Sequence, residues 1–412
     1  MAHMNLIRKR IWRIYLVAAL LVLCCCLLVA CNNDNSYNVS GDVSEPTHFM
    51  AQLMYKLGET SGLKNASFGW TVVVFTIILR LILSPLDIWQ KIIARKNSKA
   101  MERMKPQLEA LNEKYANDKQ RLQQEQMALY KKEHYSMLGM CLPTIATFVV
   151  FFVVFAGFRQ MVGYQYALDY KNSVNTFNTV VAQEIDRLGY GDRNGDGVKD
   201  LTDVDPESEN ALQEITDIKN AAQEAVKDAY YSDEQVSKRS WLWIKNIFVS
   251  DNWSQAVPDY TKITGQSGFA TSKLSGVDPG EYELVMKQVL GTGGYGRDGK
   301  WNGLLILPAL SLLLSFLSTF LLNKSQAQPP QPKQTVDANG QPQPNQMNSM
   351  KMMQWIMPLM MGVFSLLYSG AFALYMFTSS AAAILFQLTF NLIAKLVDKA
   401  QEKKATPNVA KR

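Results

Sequence analysis

The feature that most constrains this chain is an apolar run of membrane length that contains one arginine. Between Trp70 and Pro85 the only charged residue is Arg80, and 48% of the 412 residues are hydrophobic. A chain of this composition predicts membrane-spanning helices. An arginine near the middle of such a helix costs about 2.5–3.5 kcal/mol on insertion scales, so an intramembrane charge usually faces water, protein or a substrate.

Arg80 lies on a polar stripe. Polar residues recur at i, i+4, i+8 and i+11, at Thr76, Arg80, Ser84 and Asp87. On a helix this spacing places the four side chains within roughly 80° of one another. Two interpretations remain open: the stripe lines a polar space that takes a ligand, or the arginine extends toward the nearby interface to reach water.

The chain contains five apolar stretches after its amino-terminal region, and each is long enough to cross a bilayer. We expect spans at residues 67–87, 139–162, 302–323, 353–370 and 371–394. The last two share one apolar run, which we divide at Ser369 and Gly370. The sequence therefore predicts an all-α polytopic membrane protein with a five-helix transmembrane core.

The amino terminus is typical of an exported lipoprotein. Three basic residues at positions 8–10 precede an apolar stretch that ends at Cys31, and this end is similar to the lipobox of bacterial lipoproteins. We expect a signal peptide at 1–30, acylation of Cys31 and an extracellular lipidated segment at 31–66. The alternative is a retained transmembrane helix with an incidental cysteine.

Charge predicts the orientation of the spans. Residues 88–135 contain 11 basic and 6 acidic residues, whereas residues 164–237 contain 16 acidic and 6 basic residues. Basic loops stay in the cytoplasm. We expect a cytoplasmic loop at 88–138, an extracellular insertion at 163–301, a cytoplasmic linker at 324–352 and a basic cytoplasmic tail at 395–412. Since the basic residues cluster beside predicted spans, the net charge of +6 does not indicate DNA binding.

The predicted cytoplasmic loop has a helical pattern. One apolar stripe runs from Met101 to Leu111, and a looser one runs from Leu122 to Tyr130 after a break at Asp118. We expect an antiparallel helical hairpin, which either has a role of its own or merely connects two spans. The Pro/Gln/Asn-rich residues 325–350 predict a linker without structure.

The predicted insertion contains a calcium-loop pattern. Gly197 permits the sharp turn, and alternating residues supply oxygen atoms for a hard cation. The expected ligands are Asp192, Asn194, Asp196, Val198, Asp200 and Asp203. We predict a structural calcium site, and a solvated acidic turn is the alternative. Elsewhere the insertion predicts helices at about 172–189 and 207–231 and otherwise irregular structure.

Short strings on both sides of the predicted hairpin are shared with a known family. They are Phe68-Gly-Trp70, Thr76 with Arg80, Pro85, the stretch from Asp118 to Glu133, Leu138-Gly-Met-Cys-Leu-Pro143, Trp241-Leu-Trp243, Leu307-Pro308, Met357-Pro358 and Leu374-Tyr375. These strings resemble the YidC/Oxa-type membrane protein insertases over residues 67–163 and 240–395. The lipobox with five spans is similar to the Gram-positive branch.

The resemblance implies a membrane protein insertase, and we expect neither enzymatic activity nor a required cofactor. Arg80 would attract acidic residues of a substrate tail in a groove open to the cytoplasm and lipid. Thr76 and Thr147 would line that groove, although Thr147 stands where the family usually has glutamine, and Tyr375 would face the substrate. The implied partners are nascent membrane proteins and the bilayer of a bacterial plasma membrane, with the ribosome and Sec translocon as further candidates.

Other functions have less support in the sequence. The three histidines, His3, His48 and His134, are far apart and form no catalytic or zinc pattern, and no Walker lysine motif is present. The alternatives are a channel or transporter that uses Arg80 as an anion site, and a membrane-anchored calcium-binding surface protein. The basic tail and hairpin fit ribosomal RNA or anionic lipid equally well.

Overall fold

Helices account for most of the described residues. The structure is a computed structural model, and it describes residues 36–60, 62–63, 67–115, 118–133, 135, 137–251, 255–266, 273–291, 301–324 and 346–405. At 119, 137–148, 322–324, 346–355, 357, 399 and 401–405 only the backbone is described. The predicted signal peptide, Cys31 and most of the predicted linker therefore lie outside the described residues.

The described part of the chain contains eleven α-helices and one small sheet. The helices are α1 (Phe49–Thr60), α2 (Phe68–Lys114), α3 (Lys119–Lys132), α4 (Met137–Leu188), α5 (Ala211–Tyr230), α6 (Asp233–Arg239), α7 (Tyr260–Ile263), α8 (Pro279–Gly291), α9 (Ile306–Lys324), α10 (Gln346–Leu367) and α11 (Gly370–Ala405). Strands β1 (Ser36–Asn38) and β2 (Lys273–Ser275) pair in parallel. The predicted all-α class is confirmed.

The chain divides into two compact units. Unit 1 comprises Met1–Phe75, Phe151–Pro308 and Phe364–Tyr375. Unit 2 comprises Thr76–Val150, Ala309–Val363 and Met376–Arg412. The predicted spans at 67–87, 139–162, 302–323, 353–370 and 371–394 fall largely within α2, α4, α9, α10 and α11 respectively.

The helices of unit 2 expose apolar side chains and bury polar ones. On α2, Leu81 and Ile82 are 57% and 68% exposed, whereas Thr76 is fully buried. On α11, Leu385 is 66% exposed while Gln387 is only 5% exposed. A water-soluble protein shows the opposite arrangement, because its large apolar residues leave water on folding. These outward apolar faces fit contact with lipid.

Two helices within the described residues are long and apolar enough to cross a membrane by length and composition. They lie in Phe68–Lys114 and Gly370–Asp398, and only 28% and 11% of their most apolar windows are buried. A core helix of a soluble protein would be mostly buried instead. Two shorter apolar helices, Ile306–Leu321 and Pro358–Leu367, accompany them.

The carboxyl-terminal half of α2 packs against α3 in unit 2. Met101, Met104 and Leu108 of α2 form a buried cluster with Leu129 of α3. These are residues of the two apolar stripes seen in the sequence. Burial of each large apolar side chain stabilises the pair by about 1.5–3 kcal/mol, so packing holds this hairpin together.

Polar contacts fix the direction of α3 relative to α2. The side chain of Gln126 donates to Asn112 at 2.9 Å, and Arg103 lies 3.8 Å from Glu133. The α3 residue closer to the carboxyl terminus contacts the α2 residue closer to the amino terminus, so the two helices are antiparallel. The carboxylate of Asp118 caps α3 by accepting from the backbone N–H of Arg121 at 3.0 Å.

In unit 1, α1 is held closely against α4. The backbone N–H of His48 donates to Gln160 Oε1 at 2.6 Å, and Gln160 Nε2 donates to Thr47 at 2.8 Å. A Cβ at Gly157 would lie 2.5 Å from the Cβ of Met50. Glycine at this position therefore permits a helix approach that any larger residue would push apart.

A buried carboxylate organises the start of α9 in unit 1. Asp251 is fully buried and accepts from the backbone N–H groups of Leu305 and Leu307 at 2.9 and 3.0 Å. Leu305 has a left-handed backbone with φ of 62°, which is unfavourable for a side chain with Cβ. The hydrogen bonds that Asp251 accepts offset this cost and satisfy backbone N–H groups at the start of the helix.

The helix boundaries differ from the sequence expectation in three places. The first predicted span and the first hairpin helix form one continuous helix, α2, which runs through Pro85 and Pro106. The helix expected at 172–189 is the end of α4, which begins at Met137. Helix α10 begins at Gln346, within the segment predicted to be an unstructured linker, so the apolar periodicity starts earlier than we expected.

Helix α8 was absent from the sequence expectation, although its signal is present. Tyr282, Val285, Met286 and Val289 follow i, i+3, i+4 and i+7 spacing and are all buried. Pro279 stands at the first helical position, where its missing N–H costs nothing. The helix packs against α5 in unit 1.

Candidate functional site

Arg80 of α2 is bonded to a serine of α11 within unit 2. Its Nε donates to the hydroxyl of Ser379 at 2.9 Å, and one terminal nitrogen donates to the same oxygen. Ser379 is 5% exposed, while the arginine side chain is 23% exposed. The guanidinium is thus fixed on one side and accessible on another.

A carboxylate from the same helix lies beside the guanidinium. Asp87 Oδ2 is 3.6 Å from Arg80 NH1, and the Asp87 side chain is 24% exposed. Lys91 follows one turn later, with its ammonium 5.9 Å from the ring centre of Phe390 on α11. One face of α2 therefore carries a cation, an anion and a second cation in sequence.

The remaining members of the predicted stripe differ in their surroundings. Thr76 is fully buried one turn before Arg80. Ser84 is bonded within its own helix, because its hydroxyl donates to the carbonyl of Leu81 at 2.7 Å. The structure thus places Thr76 and Arg80 on one face of α2, as the helical spacing predicted, and buries Thr76. The hydroxyl of Ser84 is bonded within its own helix.

The polar row on α11 makes hydrogen bonds of two kinds. Ser380 lies 3.0 Å from the hydroxyl of Ser315 on α9, which joins two helices of unit 2. Gln387 donates to Asn391 at 3.0 Å within α11. The contact of Ser380 with Ser315 therefore helps to hold α9 against α11, since an apolar environment strengthens such bonds.

Unit 2 also contains an ion pair between α2 and α11. Arg95 is bonded to Asp398, and Lys99 lies 3.9 Å from the other oxygen of the same carboxylate. The partners are about 300 residues apart in sequence. Neither this pair nor the contact of Arg80 with Ser379 was expected from the sequence, because charge and polarity alone do not indicate which residues meet.

Of two further predicted groove residues, one belongs to unit 1 and the other lacks a described side chain. Tyr375 belongs to unit 1, where it is 6% exposed and its ring lies 5.5 Å from that of Phe158 and 5.9 Å from that of Phe372. Thr147 lies in α4, but its side chain is outside the described residues. The roles of both residues stay predictions.

The predicted calcium loop in unit 1 is organised by its own side chains. Asp203 is fully buried and accepts from the backbone N–H groups of Arg193, Asn194 and Asp200 at 2.8–3.1 Å. These hydrogen bonds, that from Asp200 first, lower the pKa of the Asp203 carboxyl. Negative charge on Asp203 therefore favours the folded loop.

Four of the other five predicted ligands accept backbone hydrogen bonds within the loop. The acceptors are Asp192 (from Gly195 and Gly197), Asn194 (from Asp196), Asp196 (from Val198) and Asp200 (from Thr202). In the described part of the chain, no three His, Cys, Asp or Glu side chains gather as a metal-binding group. The site at Asp192, Asn194, Asp196, Val198, Asp200 and Asp203 stays a prediction from the sequence.

The arrangement in unit 2 is suited to an anion near lipid. Arg80 cannot lose its charge under biological conditions, and its forked N–H groups match a carboxylate. The surrounding helices present apolar side chains outward. Together the helical fold, the outward apolar faces and the packed arginine indicate an integral membrane protein of the all-α class.

Comparison with known families assigns the chain within that class. Residues 60–397 match the family model described as 60Kd inner membrane protein. This match covers well over half of the 412 residues. The chain belongs to this family, and the resemblance to YidC/Oxa-type insertases that the sequence strings indicated is confirmed.

Three relatives are each named membrane protein insertase YidC. The relative from Fusobacterium nucleatum is 33% identical over 113 residues, which are 27% of this chain and 53% of that protein. The relative from Alkalihalophilus pseudofirmus is 39% identical over 102 residues, covering 23% and 39%. The relative from Leptospira interrogans is 33% identical over 96 residues, covering 23% and 15%. The chain thus spans about half of these relatives at most.

Proposed function

We propose that this protein inserts hydrophobic segments of nascent membrane proteins into the bilayer. In this proposal Arg80 holds an acidic residue of the substrate tail while the hydrophobic segment moves along the apolar faces of unit 2 into lipid. The family to which the chain belongs supports this function and does not favour a channel, a transporter or a calcium-binding anchor protein.

The placement of Arg80 is the observation that carries the proposal. The guanidinium is oriented by Ser379 and is 23% exposed, so it keeps N–H groups that a carboxylate can reach. A charge-assisted bond is about twice as strong as a neutral one. It would offset part of the desolvation of the substrate acid, and neither charge would need to cross the apolar layer unaccompanied.

The energy for insertion would come from the substrate. Transfer of apolar surface out of water contributes about 25 cal/mol per Å², and the membrane potential acts on charged tails. The chain would therefore need no nucleotide and no cofactor. Its partners would be nascent membrane proteins and the bilayer, with the ribosome and Sec translocon as additional partners.

The proposed setting is a bacterial plasma membrane. We place the lipidated Cys31 and the acidic insertion outside, and the hairpin of α2 with α3 and the basic tail in the cytoplasm. The distribution of basic residues supports this orientation. The five spans given by the sequence, at 67–87, 139–162, 302–323, 353–370 and 371–394, belong to the same proposal.

An insertion assay with charge variants tests the function. The full chain is reconstituted in liposomes with a single-span substrate whose translocated tail carries acidic residues. Arg80→Glu should reduce the insertion rate about tenfold or more, because an interaction with a charged group is lost, whereas Arg80→Lys should retain most of the rate.

The matched control is the same substrate with its tail acids changed to amides. Its insertion should depend much less on residue 80, because no carboxylate meets the guanidinium. Equal rates for the wild type, Arg80→Lys and Arg80→Glu with the acidic tail would contradict the proposed role of Arg80.

A further inference from the structure

Arg80 shares its polar face with a carboxylate that the substrate acid would have to replace. Asp87 Oδ2 lies 3.6 Å from Arg80 NH1, which is ion-pair distance but too long for a strong hydrogen bond. Both side chains are about one quarter exposed. A partly hydrated pair of this kind is weak, so a better-placed carboxylate can displace Asp87.

Lys91 provides Asp87 with a second cation. The two residues are four positions apart with the acid first, which is the favourable order on a helix, and their charges interact. Loss of one partner from a partly buried pair leaves an uncompensated charge, and this is costly. Because Lys91 lies one turn after Asp87 on the same helix, its ammonium is within reach of the carboxylate that Arg80 releases.

We propose that Asp87 is a resident competitor that determines which substrate acids Arg80 accepts. Without substrate, Asp87 pairs with Arg80. An incoming carboxylate that approaches the guanidinium in the bidentate geometry displaces Asp87, which then pairs with Lys91. Asp87 is a specificity-determining residue and Lys91 a positioning residue. This inference rests on the proposed insertase function, because it specifies the substrate chemistry of the same site.

The test uses the full chain in liposomes of phosphatidylethanolamine and phosphatidylglycerol. The substrate carries one aspartate in its tail and is supplied below saturation. Asp87→Asn should raise the insertion rate about threefold, which is the scale of one exposed ion pair. The half-saturating substrate concentration should fall by the same factor while the maximal rate stays unchanged. The substrate with asparagine in its tail should show no change.

Two further variants separate competition from a structural effect. Asp398→Asn removes another carboxylate of unit 2, the partner of Arg95, and should behave as wild type. Lys91→Gln should lower the rate about threefold, because Asp87 then stays with Arg80. In the Asp87→Asn background, Lys91→Gln should have no effect on the rate, since the carboxylate with which Lys91 would pair is absent.

The inference is overturned if Asp87→Asn inserts the acidic substrate at or below the wild-type rate, or if the effects of Asp87→Asn and Lys91→Gln are additive. In either case the proposed function would stand as long as the wild-type chain inserts the substrate and the Arg80→Glu chain does not. A wild-type chain no better than protein-free liposomes would instead refute the function itself. Thermal unfolding of each variant in detergent verifies that it is folded.

Discussion

At the scale of single residues, the structure explains how an arginine is tolerated in an apolar helix. Arg80 donates to Ser379 and lies within ion-pair distance of Asp87, so its charge is compensated on two sides. A snorkelling arginine would need only water at the interface. The contact with a serine 299 positions away fixes the guanidinium inside unit 2, which favours a binding role.

The partly buried His48, beside the contact of α1 with α4, predicts that the stability of unit 1 depends on pH. Its Nδ1 accepts the backbone N–H of Met50 at 3.2 Å, and burial lowers the pKa of the imidazole below its ordinary 6.5. A lowered pKa means that the neutral ring stabilises the fold. This contribution is complete above pH 6.5 and is lost as the pH falls through the folded-state pKa.

We therefore expect the unfolding temperature of the full chain in detergent to fall between about pH 7.5 and pH 5, with a smaller decrease for His48→Asn. Asparagine retains an oxygen that accepts from Met50 and does not titrate in this range. An identical decrease for the wild type and His48→Asn would show that His48 does not cause the acid sensitivity.

At the scale of elements, the periodicity of apolar residues predicted which face of a helix is buried. The stripe from Met101 to Leu111 and Leu129 correctly predicted the packed faces of α2 and α3, because apolar spacing sets the buried face of a helix. Two features were not predicted. The partnership of Arg80 with Ser379 depends on how distant helices pack, and the continuity of α2 through Pro85 depends on neighbours that support a helix despite a missing N–H.

The loop at 192–203 is the element whose function remains a prediction. Asp203 accepts three backbone N–H groups, so Asp203→Asn would place a donor against one of them and leave it unsatisfied. We expect faster amide hydrogen exchange across this loop in Asp203→Asn than in the wild type. Asp228→Asn, an exposed change on α5, should leave the exchange unchanged.

Calcium provides the second arm of this measurement. If the loop binds calcium, calcium at about 1 mM should slow amide hydrogen exchange in the wild-type loop. Extracellular calcium modules bind the ion in this concentration range. Magnesium at the same concentration should have less effect, because it requires smaller, octahedral geometry. Exchange rates that do not respond to calcium would favour the solvated acidic turn.

At the scale of the whole molecule, the helices expose what a soluble protein buries. Leu81 and Ile82 of α2 and Leu385 of α11 are all more than half exposed, while Arg80 and Ser379 lie on packed faces. The match of residues 60–397 to one family agrees with this reversed polarity. The fold class and the family could thus be predicted from composition and short sequence motifs. The role of the acidic insertion could not be predicted from them.

Photo-crosslinking beside Arg80 tests the central claim most directly. A photoreactive amino acid replaces Ser84, which lies one turn after Arg80 on α2 and is bonded only within its own helix, and ribosome-bound nascent substrates are presented with either an acidic or an amide-matched tail. We predict that the acidic tail crosslinks more strongly and that Arg80→Glu removes this difference, because the guanidinium recruits the carboxylate. A probe at Leu212, exposed on α5, serves as the control. Equal crosslinking of both tails, unaffected by Arg80→Glu, would contradict the account.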